Sequence, residues 1–193
     1  MKIDQQHAWE GETFKGIQLS DVDLSNRSFE NCSFVDCEFM GCHFRNTTFN
    51  ECSFKNCNLS NVSLIQTKFE EIIFIECKLV GLNFSSCKKL LFSIKLESCI
   101  LQMCNFSGLK MNDLCFTKSE IQDCDFFEAD LSSTDFSFCK LKGSLFESCD
   151  LTKADFRNAS AYSIDPSQNK LIKAKFSMPE VLTFLEPLGI EIE

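Results

Sequence analysis

The residue types that most often perform chemistry are either scarce or regularly spaced in this chain of 193 residues. Its two histidines are His7 and His43, and His43 lies far from any run of carboxylates that would orient its imidazole as a general base. Cysteines are abundant, and Cys32, Cys37 and Cys42 follow one another at intervals of five. Zinc sites instead use close pairs such as Cys-x2-Cys that converge on one point. The sequence therefore predicts no catalytic residue, no metal site and no cofactor.

Large apolar side chains recur at every fifth position, and this period accounts for the cysteines. The series runs unbroken from Trp9 to Phe84, fails at Lys89, and resumes two residues out of phase from Leu91 to Phe156. We call the positions of this series the centres. The series lapses at Ala161 and Pro166 and returns at Leu171 and Phe176. With these positions the centres include 17 of the 21 phenylalanines, and 11 of the 13 cysteines lie two residues before a centre. The cysteines are therefore predicted to be free, buried packing residues.

A period of five fits neither the 3.6 residues of a helical turn nor the two-residue alternation of a strand. If each five-residue unit forms one side of a square, four units close a coil and every centre points inward. Each coil then buries its apolar face on the next, as in a solenoid. Residues twenty apart should stack, for example Phe34 on Phe54 and Cys37 on Cys57. The sequence predicts an all-β solenoid of about eight coils.

The repeats at residues 154–158 (Ala-Asp-Phe-Arg-Asn) and 129–133 (Ala-Asp-Leu-Ser-Ser) carry a family resemblance. They resemble the pentapeptide-repeat family, whose pattern is a small residue, Asp or Asn, Leu or Phe, a polar residue and a variable one. The resemblance implies a right-handed quadrilateral β-helix over residues 9–176, with a frame break at 85–91 and a turn at 162–169. Residues 1–8 would form an N-terminal cap, and residues 177–193 a C-terminal helix and tail.

The C-terminal segment predicts a short α-helix, because Ser177 and Glu180 have the spacing of a capping box. Pro187 and Gly189 would end it. Two roles are open: a cap over the last coil, or a two-fold dimer in which the tail 190–193 also pairs. The apolar residues of this helix are the candidate dimerisation residues: Val181, Leu182, Phe184, Leu185 and Leu188.

Six acidic residues lie between Ser119 and Phe136, and this stretch contains no basic residue. Twenty-residue stacking would place Asp150 over Asp130 and Asp155 over Asp135, giving two columns of like charge. Either the repeat's preference for Asp before the centre produces these columns, or they imitate a row of phosphates. A net charge of -9 is too small to imitate duplex DNA along the whole rod. The candidate partner-binding acids are Glu120, Asp123, Asp125, Glu128, Asp130, Asp135, Asp150 and Asp155.

Within its family the chain resembles the Qnr and MfpA type, and most closely the albicidin-immunity branch, at residues 57–60, 66–69, 76–79, 98–101 and 173–180. Members of this type are dimeric rods that protect DNA gyrase or topoisomerase IV from poisons and imitate DNA. The resemblance implies a non-enzymatic homodimer that binds one of these topoisomerases and protects it from an albicidin-like or quinolone poison. The acidic balance argues against direct binding to nucleic acid or membrane. With no apolar span or signal peptide, a cytoplasmic location is expected.

Two further features have alternative explanations. The frame break, with Ser85, Ser86, Lys88 and Lys89, is either a bulge at a corner or a partner-binding loop on a rigid scaffold. A different function, a scaffold or regulatory adaptor unrelated to topoisomerases, would follow if apolar residues outside the core formed a contact patch. The residues that we expect to face outward for this purpose are Ile65, Ile73, Ile75, Val80, Phe92, Phe127 and Phe138.

Overall fold

Short parallel strands stack at a nearly constant interval along the chain. The computed structural model describes Ile3 and residues 6–188, and it forms a parallel β-solenoid of about eight coils. Equivalent residues of successive coils pair with a register of twenty, as Phe34 does with Phe54 and Phe54 with Phe74. The predicted solenoid and its register are confirmed.

The strands are two to four residues long. In chain order they are β1 (Ala8–Glu10), β2 (Thr13–Lys15), β3 (Ser28–Glu30), β4 (Ser33–Val35), β5 (Thr48–Asn50), β6 (Ser53–Lys55), β7 (Lys68–Glu70), β8 (Ile72–Ile75), β9 (Lys78–Val80), β10 (Ile94–Glu97), β11 (Ile100–Gln102), β12 (Glu120–Gln122), β13 (Leu145–Phe146), β14 (Asp155–Phe156), β15 (Ser163–Ile164) and β16 (Lys175–Phe176). Two 3₁₀ helices span Phe84–Ser86 and Glu180–Leu188.

The strands belong to four faces that follow one another around each coil. Face 1 carries β1, β3, β5 and β7; face 2 carries β2, β4, β6, β8 and β10, followed by β14 and β16; face 3 carries β9, β11 and β12; and face 4 carries β13 and β15. Elsewhere on the faces, single bridges continue the same stacking, for example Lys110 to Asp130 to Asp150 to Lys170 on face 1.

Aromatic rings fill the bore of the solenoid in stacked columns. Phe34 lies over Phe54 with ring centroids 4.6 Å apart and planes 9° apart. Rings of adjacent faces meet edge to face, as Phe29 and Phe34 do at 5.4 Å and 72°. Both arrangements are favourable for aromatic quadrupoles, so the columns fill the interior without strain. The longest columns are Trp9–Phe29–Phe49–Phe69, Phe14–Phe34–Phe54–Phe74, Phe84–Phe106–Phe126–Phe146 and Phe116–Phe136–Phe156–Phe176.

The corners of the square depend on a left-handed residue two positions after most centres. Asn26, Asn61 and Asp123 have φ of 58°, 58° and 52°, and glycines occupy other corners, among them Gly81 with φ 68°. Asn, Asp and Gly adopt this conformation at lower cost than other residues. The residue before the centre often closes the same corner, since Asp130 Oδ1 accepts the Ser132 N–H at 3.1 Å. Sharp corners every five residues are what turn the chain into a coil.

The frame break adds two residues to one coil. Ile72 in β8 pairs with Ile94 in β10, a register of 22 instead of twenty. The exposed residues of the added loop are Lys88, Lys89, Leu90 and Leu91.

The structure corrects the position at which the apolar series resumes. Leu91 was expected to be a centre, but it is 57% exposed, whereas Phe92 is 8% exposed and packs edge-on against Phe84. The chain needs one more residue to cross the bulged corner before the Ser93 N–H reaches the Phe69 carbonyl at 3.1 Å. The expectation that Phe92 faces outward is therefore wrong.

The C-terminal helix is a 3₁₀ helix and not the predicted α-helix. Its bonds join residues three apart, as where the Leu182 N–H donates to the Pro179 carbonyl at 2.9 Å. Ser177 does not act as the predicted side-chain cap, because its hydroxyl accepts the N–H of Asn158 in the coil below. Phe184 packs against Phe176 of the last coil at 4.8 Å, so the helix covers that end. Gly189 and the tail 190–193 lie outside the described residues.

The N-terminal end begins directly with the aromatic columns. Trp9 is buried and stacks on Phe29 at 4.9 Å, so it is the first ring of an aromatic column. Ile3 is also buried against the core, and Arg27 lies 5.9 Å from the centre of the Trp9 ring.

The corner glycines give a direct test of coil stacking. A Cβ on Gly81 would lie 2.5 Å from Asn61 Oδ1 of the preceding coil, whereas one on Gly16 would meet nothing within 4 Å. Both glycines have positive φ, so Gly16→Ala should cost about 1–2 kcal/mol in unfolding free energy for the backbone alone. Gly81→Ala should cost about 1 kcal/mol more, because the Asn61 amide must leave its rotamer.

Urea unfolding of the two variants measures this difference. In an Asn61→Gly background, which removes the opposing amide and keeps a residue suited to positive φ, the extra cost of Gly81→Ala should disappear. Equal losses for Gly16→Ala and Gly81→Ala in the natural background would contradict the predicted clash.

Candidate interaction surfaces

All the cysteines but one are buried in the wall of the solenoid. All 13 are free thiols, and every one except Cys115 is buried. Burial raises the pKa of Cys52 and of Cys139 to about 12, so these thiols stay protonated at neutral pH. Among the described residues, no three His, Cys, Asp or Glu side chains converge as metal ligands would. What the molecule presents to partners is its outer surface.

The six acids between Ser119 and Phe136 form a belt around the rod. They lie within a single coil, from Glu120 on face 3 through Asp125 on face 4 and Asp130 on face 1 to Asp135 on face 2. Asp123 and Glu128 occupy the corners between these faces, with φ of 52° and 56°. One flat partner surface therefore meets only part of the belt. We call these six residues the acidic belt.

The two predicted columns exist, but basic residues neutralise their upper members. Asp130 pairs in register with Asp150, and Asp135 with Asp155. Lys170 lies 2.8 Å from Asp150 Oδ2, and Arg157 lies 2.6 Å from Asp155 Oδ2. The columns therefore do not present rows of uncompensated charge.

The pKa values of the two upper aspartates reflect these contacts. Hydrogen bonding from Arg157 holds the pKa of Asp155 below its usual value against the opposing effect of burial. Burial would raise the pKa of Asp150, but hydrogen bonds from Lys170 and Thr152 outweigh it and lower that pKa as well. Both carboxylates are stabilised in the charged form by the fold itself.

Most belt and column aspartates also perform a local structural task. Asp125, Asp135 and Asp150 each accept the backbone N–H two residues ahead, at 2.8–3.0 Å. This Asx turn closes the corner after the centre. The repeat's preference for Asp at this position therefore has a structural cause, which favours the first of the two explanations for the columns.

The bases that pair with acids of the belt and columns were missed in the sequence, although the register of twenty identifies three of them. Counting twenty forward from Glu120, Asp150 and Asp155 gives Lys140, Lys170 and Lys175. Lys140 lies 2.6 Å from Glu120, and Lys175 lies 3.6 Å from Asp155. The same count that predicted the stacked acids thus also predicts their partners.

The frame-break loop has an engaged part and an exposed part. The Ser85 and Ser86 hydroxyls both donate to Asn83, each at 2.6 Å, so these two side chains are occupied within the 3₁₀ turn. Lys88 and Lys89 are exposed, as are the two leucines that follow them. Of the four residues predicted as a partner loop, only the two lysines are exposed.

The apolar residues expected on the surface do not form one patch. Ile73 lies on face 2, while Ile65 and Phe127 follow centres of face 4 and Phe138 follows a centre of face 2. Ile75 and Val80 are half-buried and Phe92 is in the core.

In the C-terminal helix, the candidate dimerisation residues Val181, Leu182, Phe184 and Leu185 are half-buried, and the Leu188 side chain lies outside the described residues. No helix in the described part of the chain is long and apolar enough to cross a bilayer.

Comparison with known proteins agrees with this geometry. A family model described as a pentapeptide repeat region matches residues 99–176, and one described as the SV2A/B/C luminal domain matches residues 1–74. No curated protein matches the chain. A trypsin-treated variant of QnrB1, a plasmid-mediated fluoroquinolone resistance protein, superposes with a TM-score of 0.74 at 19% identity over 96% of this chain and 98% of that chain. A second trypsin-treated variant of QnrB1 gives 0.59 at 20% identity over 96% and 100%.

Parallel pairing, a register of twenty and corners every five residues define a quadrilateral β-solenoid. Residues 99–176 match the pentapeptide-repeat family, as the sequence resemblance predicted, and the whole chain shares the fold of QnrB1. Its assignment to the albicidin-immunity branch stays a prediction.

The ion-paired Asp155 of face 2 makes the free energy of unfolding depend on pH. Because the pKa of Asp155 is lower in the folded chain than in the unfolded one, its stabilising effect is present above about pH 4 and is lost as the pH falls further. Asp155→Asn keeps the Asx turn and removes the charge. We expect a loss of about 1 kcal/mol in unfolding free energy at pH 7 and almost none near pH 2.

Chemical unfolding at the two pH values measures this change. Asp113→Asn is the control, because Asp113 is exposed and forms no ion pair among the described residues. It should change stability little at either pH. An equal loss for Asp155→Asn at both pH values would mean that the ion pairs with Arg157 and Lys175 contribute nothing.

Proposed function

We propose that this chain is a non-enzymatic, protein-binding rod whose target is DNA gyrase or topoisomerase IV, and that binding protects the target from an albicidin-like or quinolone poison. The observation that carries the proposal is the superposition on QnrB1, a fluoroquinolone resistance protein, over nearly the full length of both chains. The filled bore supports a role through surface contact, because it leaves no interior site for a substrate. A cytoplasmic location follows from the proposed target, and the free thiols agree with a reducing compartment.

The acidic belt is the part of the surface that we assign to imitation of DNA. Asp125, Asp130 and Asp135 form no ion pair with a described residue, whereas Glu120, Asp150 and Asp155 do. Imitation is therefore local and centred on one coil instead of running along the rod. Binding to a positively charged groove should fall steeply with salt, because it depends on a few exposed charges.

Supercoiling by purified gyrase, with ciprofloxacin or albicidin present and the protein titrated in, tests the function. We expect the protein to restore supercoiling in the presence of at least one drug, or to inhibit the enzyme when no drug is present. Neither effect at any concentration would exclude topoisomerase as the target and leave the adaptor function as the alternative.

Charge-neutral variants test the assigned surface. Asp125→Asn, Asp130→Asn and Asp135→Asn together remove three negative charges, and Asn can still accept the corner hydrogen bonds. We expect gyrase affinity to fall about tenfold or more at low salt, measured by surface plasmon resonance. Glu10→Gln, Glu30→Gln and Glu51→Gln form a control with the same change in charge at exposed sites in the first coils. Equal losses for both triple variants would remove the belt from the interface.

We also propose that the C-terminal helix joins two copies of the chain about a two-fold axis. Phe184 covers the last coil of its own chain, yet Val181, Leu182 and Leu185 remain half-exposed around it. A second copy would bury the remaining apolar surface of both helices. The helix would then serve as cap and as interface at once.

Sedimentation velocity across concentration measures the association. We expect a dimer in the natural chain and a monomer for Leu182→Asp combined with Leu185→Asp, with the thermal midpoint lowered by only a few degrees. Gly16→Ala serves as a control for reduced stability, because its site lies in the first coil. A monomer at every concentration in the natural chain would leave the helix as a cap alone.

A further inference from the structure

The exposed part of the frame-break loop combines apolar and basic side chains on one surface. Leu90 is 78% exposed, the highest value among the large apolar residues that the structure describes, and Leu91 beside it is 57% exposed. Leu91 also adopts a φ of 60°, a conformation that costs a leucine about 1–2 kcal/mol. Neither burial nor backbone preference explains two adjacent leucines at this place. A contact outside the chain would explain both.

The loop is held firmly at both ends. Cys87 is buried before it and Phe92 is buried after it, so the exposed segment between them is short. The Lys88 N–H donates to the Thr67 carbonyl at 2.9 Å, and Lys89 Nζ donates to the Gly108 carbonyl at 3.1 Å. A loop fixed in this way presents its side chains with little entropy left to lose on binding.

A groove of about 450 Å³ lies beside the two leucines, lined by Lys89, Leu90, Leu91, Gly108 and Lys110. The Gly108 N–H donates to the carbonyl of Phe127 at 2.8 Å, and Phe127 is itself exposed in the next coil. Gly108 has a φ of 64°, a corner conformation that favours glycine.

The charge of this surface is opposite to that of the chain as a whole. Lys88, Lys89 and Lys110 are exposed and form no ion pair among the described residues, while the chain carries a net charge of -9. A nucleic acid or an anionic membrane fits poorly, since the acidic belt with Asp125 and Glu128 lies in the next coil and repels phosphates. A short acidic segment fits, because it needs only the local cations.

We propose that this loop and groove bind an acidic segment of a partner protein that also carries apolar side chains. Its carboxylates would pair with Lys88, Lys89 and Lys110, and its apolar residues would cover Leu90 and Leu91. This inference does not depend on the topoisomerase proposed above, because it concerns a basic surface and not the acidic belt.

Fluorescence anisotropy with labelled peptides tests the proposal. The probe is a twelve-residue peptide in which Glu and Asp alternate with Leu and Phe, compared with one that has Gln and Asn in place of its acids. We expect saturable binding of the acidic probe, at least about tenfold weaker binding of the neutral one, and weakening as salt rises from 50 to 300 mM. Equal binding of the two peptides, or none of the acidic probe, would overturn the proposal.

Two pairs of variants locate the binding. Lys88→Glu with Lys89→Glu should reduce affinity for the acidic probe at least about tenfold, and so should Leu90→Ser with Leu91→Ser. Lys142→Glu with Lys153→Glu makes the same change in charge at exposed sites in later coils and should have little effect. Equal loss in this control would overturn the assignment to the loop.

Two further outcomes would also overturn it. One is tighter binding of a 20-base-pair DNA duplex than of the acidic probe to the same loop. The other is loss of the dimer in sedimentation when Leu90 and Leu91 are changed, because a second copy of the chain would then occupy the groove. Circular dichroism and a thermal midpoint within a few degrees of the natural chain verify that each variant is folded.

Discussion

The structure depends on one constraint: each inward side chain must stack on the residue one coil away. Rings such as Phe106, Phe126 and Phe146 lie 4.9–5.1 Å apart, close to the spacing of neighbouring strands. Four sides of five residues bring an apolar side chain back to the same face every twenty residues, and the stacked rings fill the bore. Residues that could bind a partner are therefore found at the outward positions and at the corners, where side chains are not packed in the bore.

The same register determines the electrostatics of the surface. Because outward residues also stack at twenty-residue intervals, the charge of one side chain is felt mainly by its neighbours in the coils above and below. Lys170 above Asp150 and Lys140 above Glu120 neutralise two acids in this way. Opposite charges along a column stabilise the rod, but they leave no continuous row of negative charge. Among the described residues, negative charge stays unpaired where no base follows in the register, as at Asp125 and Asp135.

The five-residue period of apolar residues determines how much of this structure the sequence predicts. A series of apolar residues at intervals of five predicts the columns, the buried cysteines and the register, because one repeated geometry produces all of them. It does not decide between Leu91 and Phe92, since both are large and apolar and the inserted corner has no period. Likewise, helical spacing in residues 181–188 does not distinguish a 3₁₀ from an α-helix, because that depends on how Phe184 meets the last coil.

An insertion in a solenoid is tolerated only where it leaves stacking intact on both sides. Here the wall resumes on each side of the loop, since Ile72 pairs with Ile94 and Asn83 with Asn105 at a common register of 22. The added residues are therefore displaced outward as a unit, and the columns above and below continue. Other large apolar side chains are exposed singly, such as Leu145 at 63%, whereas in this loop two adjacent leucines are exposed together. A rigid scaffold that exposes two leucines among three lysines has the physical requirements of a docking site: preorganised shape, apolar area and a charge opposite to its surroundings.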